Sequence, residues 1–149
     1  MKKLIGSLID SFSFFGALPF YLFLSFFIFF SGNEKLFERL IIGIIFCYAV
    51  VILIRIVYYK ERPRKIEHGN IIEKVIASSF PSFHSCAVTI LSLMICLYYK
   101  SAYMIALFSF ISLLVFFNRY HLRKHYLSDI IAGILTGIII SISIIALTQ

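Results

Sequence analysis

The sequence predicts an all-α membrane protein: a polytopic membrane helix bundle of about five transmembrane helices preceded by an N-terminal interfacial helix, with residues 1–149 forming a single domain. Three observations carry that expectation. The chain is 61% hydrophobic with a mean hydropathy of +0.98, more apolar than a soluble core requires. Its apolar residues fall into runs close to the ~20 that a helix needs to cross the hydrocarbon layer. Its charges are confined to the connections between those runs, so the net charge of +7 does not describe the basic face of a nucleic-acid binder. Phosphate groups of lipids are the anions it suits, and no nucleic-acid partner is expected.

The opening Met1-Lys2-Lys3 resembles the charged start of a signal sequence, but the apolar run that follows ends in Phe30-Ser31-Gly32 without a small-x-small cleavage site, so the segment is expected to be retained. Residues 4–14 are too few to span and carry Asp10 among apolar side chains, which predicts an interfacial helix. The first span is expected at about 15–30, where Gly16 and Pro19 mark its start. After the polar turn Ser31-Gly32-Asn33-Glu34-Lys35, the second is expected at about 40–58. The third is expected at about 84–99, the fourth at about 102–117 after the turn Lys100-Ser101, and the fifth at about 129–147. Gly133 and Gly137 form a small-residue stripe on the Asp129 face that lets another helix come close. Tyrosines gather at span ends, where their rings anchor at the headgroup level. Cys47, Cys86 and Cys96 all lie in apolar runs, have no CxxC spacing, and read as small hydrophobes.

Two long polar connections, 59–82 and 118–128, fall on the same side of the membrane as the N-terminus. Between them and the adjoining helix ends they hold three clusters suited to chemistry. The first is Arg55, seven residues before Arg62-Pro63. An arginine inside an apolar helix end either snorkels to the interface or meets an anion. Lys60, Arg64 and Lys65 nearby read as surface charge. The second is Pro81-Ser82-Phe83-His84-Ser85, a helix start with Ser82 as N-cap; the free N–H groups of such a terminus suit phosphate, with His84 facing it from the first turn. The third is Asn118-Arg119 with His121, His125 and Asp129, spaced by four so that a helix starting early enough puts them on one face. A carboxylate four residues after an imidazole can accept one ring proton and leave the other nitrogen free to attack or to bind metal. The His-x3-His-x3-Asp spacing keeps a zinc site open as a competitor, although a cleft with several arginines favours an anion over a cation. His121 belongs either to this site or to an exposed loop. Together the clusters suit phosphoryl transfer without a metal: arginines on the phosphate oxygens, one histidine attacking phosphorus, another protonating the leaving oxygen.

In order and spacing the three clusters resemble the type 2 phosphatidic acid phosphatases, also called the lipid phosphate phosphatase and vanadium haloperoxidase superfamily. That family's pattern is Lys-x6-Arg-Pro, Pro-Ser-Gly-His and Ser-Arg-x5-His-x3-Asp. This chain reads Arg55-x6-Arg62-Pro63, Pro81-Ser82-Phe83-His84 and Asn118-Arg119-x5-His125-x3-Asp129. The resemblance implies a core of that family's type, a metal-independent phosphatase with no cofactor, and a lipid phosphate as substrate: phosphatidic acid, phosphatidylglycerophosphate, a polyprenyl diphosphate or lipid A. It implies His125 as the nucleophile that forms a phosphohistidine, Asp129 as the group that orients it, and His84 as general acid and then base. Arg55, Arg62, Arg119 and Ser82 would hold the phosphate. Three positions depart from the pattern. Arg55 replaces lysine with a planar fork, Phe83 replaces glycine and obliges a bulky ring to point away from the phosphate cradle, and Asn118 replaces serine. Family members commonly have six spanning helices, three of them before the first motif, where this chain has two and the interfacial segment.

Eleven lysines and arginines fall on the N-terminal and motif side, against Lys35, Arg39 and Lys100 on the other. The excess of positive charge predicts a multi-pass protein of the cell's inner membrane with its site on the cytoplasmic face. Two other functions compete: transfer of the phosphoryl group to an acceptor other than water, and a non-enzymatic membrane protein binding anionic lipid or metal. Binding alone has no need of an acid, a nucleophile and an orienting carboxylate together.

Overall fold

The computed structural model describes residues 12–64, 67 and 69–148. Among them every regular element is a helix and there is no strand. A 3-10 turn at Phe12–Gly16 is followed by α1 (Leu18–Phe30), α2 (Glu34–Val57), α3 (Ile71–Ala77), α4 (Phe83–Tyr99), α5 (Ala102–His121) and α6 (Leu127–Leu147). Three helices, α2, α5 and α6, are long and apolar enough to cross a membrane. The expected first and third spans form as shorter apolar helices, α1 with 13 residues and α4 with 17. At about 1.5 Å per residue, α4 rises ~26 Å and α1 ~20 Å, less than the ~30 Å hydrocarbon layer. Of the expected interfacial helix, residues 4–11 lie outside the described residues and its last three belong to the 3-10 turn.

α4 is the axis of the bundle. Its run from Ser85 to Ser92 is buried without interruption, because α2, α5 and α6 pack around it. The long helices instead bury one stripe and leave apolar side chains such as Ile45, Phe110 and Ile139 exposed, as a lipid-facing surface does. α2 begins six residues before the expected 40, since Leu36 and Leu40 extend its buried stripe. α5 runs past the expected 117 because Asn118 and Arg119 turn inward and are buried.

The approach of α6 to α4 depends on glycine. A Cβ at Gly133 would lie 2.5 Å from the Ser82 carbonyl oxygen, and one at Gly137 would lie 2.8 Å from that of Cys86. These are backbone atoms that no rotamer change can move, so the stripe is a requirement for bringing the start of α6 against the start of α4. The 3-10 turn closes the same end: a Cβ at Gly16 would stand 3.1 Å from the His84 Cβ.

Candidate active site

The C-terminal ends of α2 and α5 meet the N-terminal ends of α4 and α6 at one end of the bundle, so residues from all three sequence clusters converge. A cavity of about 280 Å³ is lined there by Arg55, Arg62, His84, Arg119 and His125 on its polar side. Its apolar wall comes from Tyr48, Val51 and Ile52 of α2, Val75 and Ile76 of α3, and Phe83. Arg55 donates from Nη2 to the Pro81 carbonyl at 3.0 Å and Arg62 from Nη2 to the Ile76 carbonyl at 2.9 Å. The Nε–H groups of both are buried with no hydrogen-bond partner. Burial pulls Arg62 below the usual guanidinium range, with Tyr59 and Asp129 opposing. Arg119 is 3% exposed and donates to the Asn118 side-chain oxygen. The Arg55 and Arg62 guanidinium groups, converging with N–H donors to spare, are chemistry for a tetrahedral oxyanion.

His125 is 3% exposed and sits in the turn between α5 and α6. Its Nδ1–H donates to the Ser79 carbonyl at 2.7 Å, which fixes the tautomer and leaves Nε2 with its lone pair. Burial, reinforced by the Arg62 guanidinium, pushes the imidazole down to about 3; the Ser79 carbonyl and Asp129 act the other way. His125 is therefore neutral at physiological pH. Because its folded value lies below the ordinary 6.5, the stability it contributes is complete above pH 6.5 and drains away as pH falls toward 3.

Asp129 is fully buried. One oxygen, Oδ2, accepts the Tyr126 backbone N–H at 2.9 Å and caps α6; the same oxygen lies 3.9 Å from His125 Nδ1. The other oxygen, Oδ1, is 2.6 Å from Lys60 Nζ. Lys60 thus pairs with a buried carboxylate where the sequence suggested surface charge. Ser79 and Lys60 are the site residues that sequence reasoning missed.

Ser82 is the N-cap of α4 as expected: its Oγ accepts the Ser85 N–H at 3.4 Å and the Ser85 hydroxyl at 3.0 Å. It is fully buried behind the cavity and does not line it. The Phe83 ring turns onto Tyr48, 4.3 Å between centroids, and forms part of the wall. The single helical face expected for His121, His125 and Asp129 does not form, because α5 ends at His121 and the chain turns through Arg123, at φ 53, before α6 begins. His121 is stacked on Phe117 and lines an outer pocket with Arg123, Tyr126 and the far side of His125. Among the described residues, no group of three or more His, Cys, Asp or Glu side chains is arranged to hold a metal ion.

A bundle of apolar helices with arginines and histidines gathered in a cavity at one end fits a helical membrane phosphatase. The chain belongs to the PAP2 superfamily, whose family model matches residues 39–149. Its fold is similar to that of Aquifex aeolicus LpxE in the crystal structure of that protein, with a TM-score of 0.80 at 22% identity, covering 96% of this chain and 86% of the other. No curated protein matches the sequence.

Proposed function

We propose that this protein hydrolyses the phosphomonoester or diphosphate of a membrane lipid, of the phosphatidic acid, phosphatidylglycerophosphate, polyprenyl diphosphate or lipid A type, through a phosphohistidine on His125 and without a metal. The observation that carries the reading is the two-sided cavity. Three arginines and two histidines face an apolar wall whose Tyr48, Ile52 and Ile76 are exposed on the outside of the bundle. A free metabolite has no use for that wall, whereas a lipid keeps its tail against it while the phosphate meets the arginines.

In this reading Arg55, Arg62 and Arg119 hold the phosphate oxygens, and the α4 start capped by Ser82 adds its dipole. The Nε2 lone pair of His125 attacks phosphorus, the bond to the leaving oxygen breaks, and that oxygen takes a proton from His84, which enters the step as the imidazolium paired with the phosphate and leaves it neutral. His84 then removes a proton from water, whose oxygen displaces His125 and gives inorganic phosphate and a neutral imidazole. Asp129 stabilises the cationic phosphohistidine. Residues 1–149 act as a single domain with five membrane crossings, α1 and α4 included, in the cell's inner membrane, and the site faces the cytoplasm.

The test is phosphate release from a panel of lipid phosphates by the purified protein in detergent with EDTA, beside His125→Ala. Release that survives the chelator and drops by at least about a thousandfold in the variant supports the mechanism. A phosphorylated alcohol in place of free phosphate, when an alcohol competes with water, would make the protein a phosphotransferase. No release from any lipid would leave a protein that binds anionic lipid.

A further inference from the structure

One residue of the connection between α2 and α4, Lys60, stands behind both groups able to take the Nδ1 proton of His125. Its carbonyl accepts the Ser79 N–H at 2.8 Å, which fixes the peptide whose own carbonyl takes that proton at 2.7 Å. Its side chain reaches the other candidate. Lys60 Nζ lies 2.6 Å from Asp129 Oδ1 and 2.9 Å from the Ser128 hydroxyl, and stands over the Tyr126 ring at 4.7 Å. Asp129 is left 3.9 Å from His125, too far for a hydrogen bond.

We propose that Lys60 is a positioning residue: it holds the Asp129 carboxylate off His125 in the resting protein and sets how strongly that carboxylate responds when His125 becomes cationic. The inference rests on His125 as the nucleophile. A fully buried carboxylate needs a compensating cation, and two candidates compete for this one. While His125 is neutral, Lys60 holds the carboxylate. When His125 carries a phosphoryl group its ring is positive, and the pull is shared across 3.9 Å. Without Lys60 the resting imidazole would become the main partner of the carboxylate, bind a proton more tightly and lose its free lone pair. His125 faces Arg62, Arg55, His84 and Asp129; Asp129 faces Lys60, Arg55, Arg62 and His125. Lys60 is thus the cation of this group whose ammonium directly contacts the carboxylate.

The experiment follows the protonation of His125 by NMR of 15N-histidine-labelled protein in detergent, in the native chain, Lys60→Met and Lys60→Arg. Lys60→Met is expected to raise the His125 midpoint by about one pH unit or more, and Lys60→Arg to restore it. In an Asp129→Asn background, Lys60→Met is expected to shift it far less. In turnover, Lys60→Met lowers kcat more at about pH 4 than at about pH 7, with KM within about twofold of native. An unchanged midpoint in Lys60→Met overturns the proposal, as does a shift that persists in full with Asp129→Asn, which would make Lys60 a simple nearby charge. The NMR titration reads Lys60 whether or not any lipid is turned over. Absence of phosphate release from the native protein would sink the enzyme reading, while an unchanged midpoint would sink this one.

Discussion

Two arginines near opposite ends of α2 show how differently the two ends of this bundle are built. Arg39 is closed: its Nε donates to the Thr148 hydroxyl at 2.8 Å and its Nη2 to the Thr148 carbonyl at 3.0 Å, so it pins the C-terminal end of α6, where a cation also suits the helix dipole. Arg55, at the other end, spends Nη2 on the Pro81 carbonyl and keeps a buried Nε–H with no partner, and Arg62 likewise keeps one beside it. A buried donor left unsatisfied costs about 1–3 kcal/mol. In the proposed function those two donors are held for a phosphate. One end of the bundle closes its arginine on its own chain, and the other leaves buried guanidinium donors unused.

The largest expected effect tests that contrast directly. Arg62→Ala should lower kcat/KM for a lipid phosphate by roughly a hundred- to a thousandfold, or about 3–4 kcal/mol of transition-state binding. Arg39→Ala should leave turnover intact and cost about 1 kcal/mol of stability, read as a lower melting temperature. Equal losses of activity in the two variants would erase the distinction.

A pair of glycines gives an intermediate effect. Gly133→Ala forces a Cβ onto the Ser82 carbonyl and should cost about 1–3 kcal/mol, together with about a tenfold loss of activity or more as the start of α6 shifts with Asp129. Gly32, at φ 82 with open space within 4 Å of where a Cβ would stand, should tolerate alanine at about 1–2 kcal/mol of strain with activity unchanged. The smallest effect belongs to Lys100, which ends α4 in a left-handed conformation at φ 48. Lys100→Gly should relieve that strain and gain up to about 1 kcal/mol in a thermal melt, without touching catalysis.

Much of the site end is legible in the sequence because its residues sit at helix termini, where spacing along the chain converts directly into position. Ser82 reads as an N-cap and becomes one, and the Gly133 and Gly137 stripe reads as a close approach and forms one. His125 and Asp129, four apart, do stand near each other. What stays hidden lies in the connections. Ser79 meets His125 through a main-chain carbonyl, which no side-chain pattern advertises. Lys60 finds Asp129 because residues 60–61 run beside residues 78–79, a pairing with no periodic signal. The bounds of α1 and α4 are legible, expected at about 15–30 and 84–99 and formed at Leu18–Phe30 and Phe83–Tyr99; what hydropathy does not register is that α4 is packed between α2, α5 and α6. His121 is displaced from the expected face by a left-handed turn at Arg123, a residue with no particular preference for that conformation.

The cavity's wall of Tyr48, Ile52 and Ile76 has a consequence for how such a catalyst would meet its substrate. A pocket with one side on the hydrocarbon samples molecules that drift within a sheet, so its occupancy follows the mole fraction of substrate in that sheet and hardly notices the volume of water around it. Diluting the bilayer with inert lipid would starve the protein, while diluting the suspension would not.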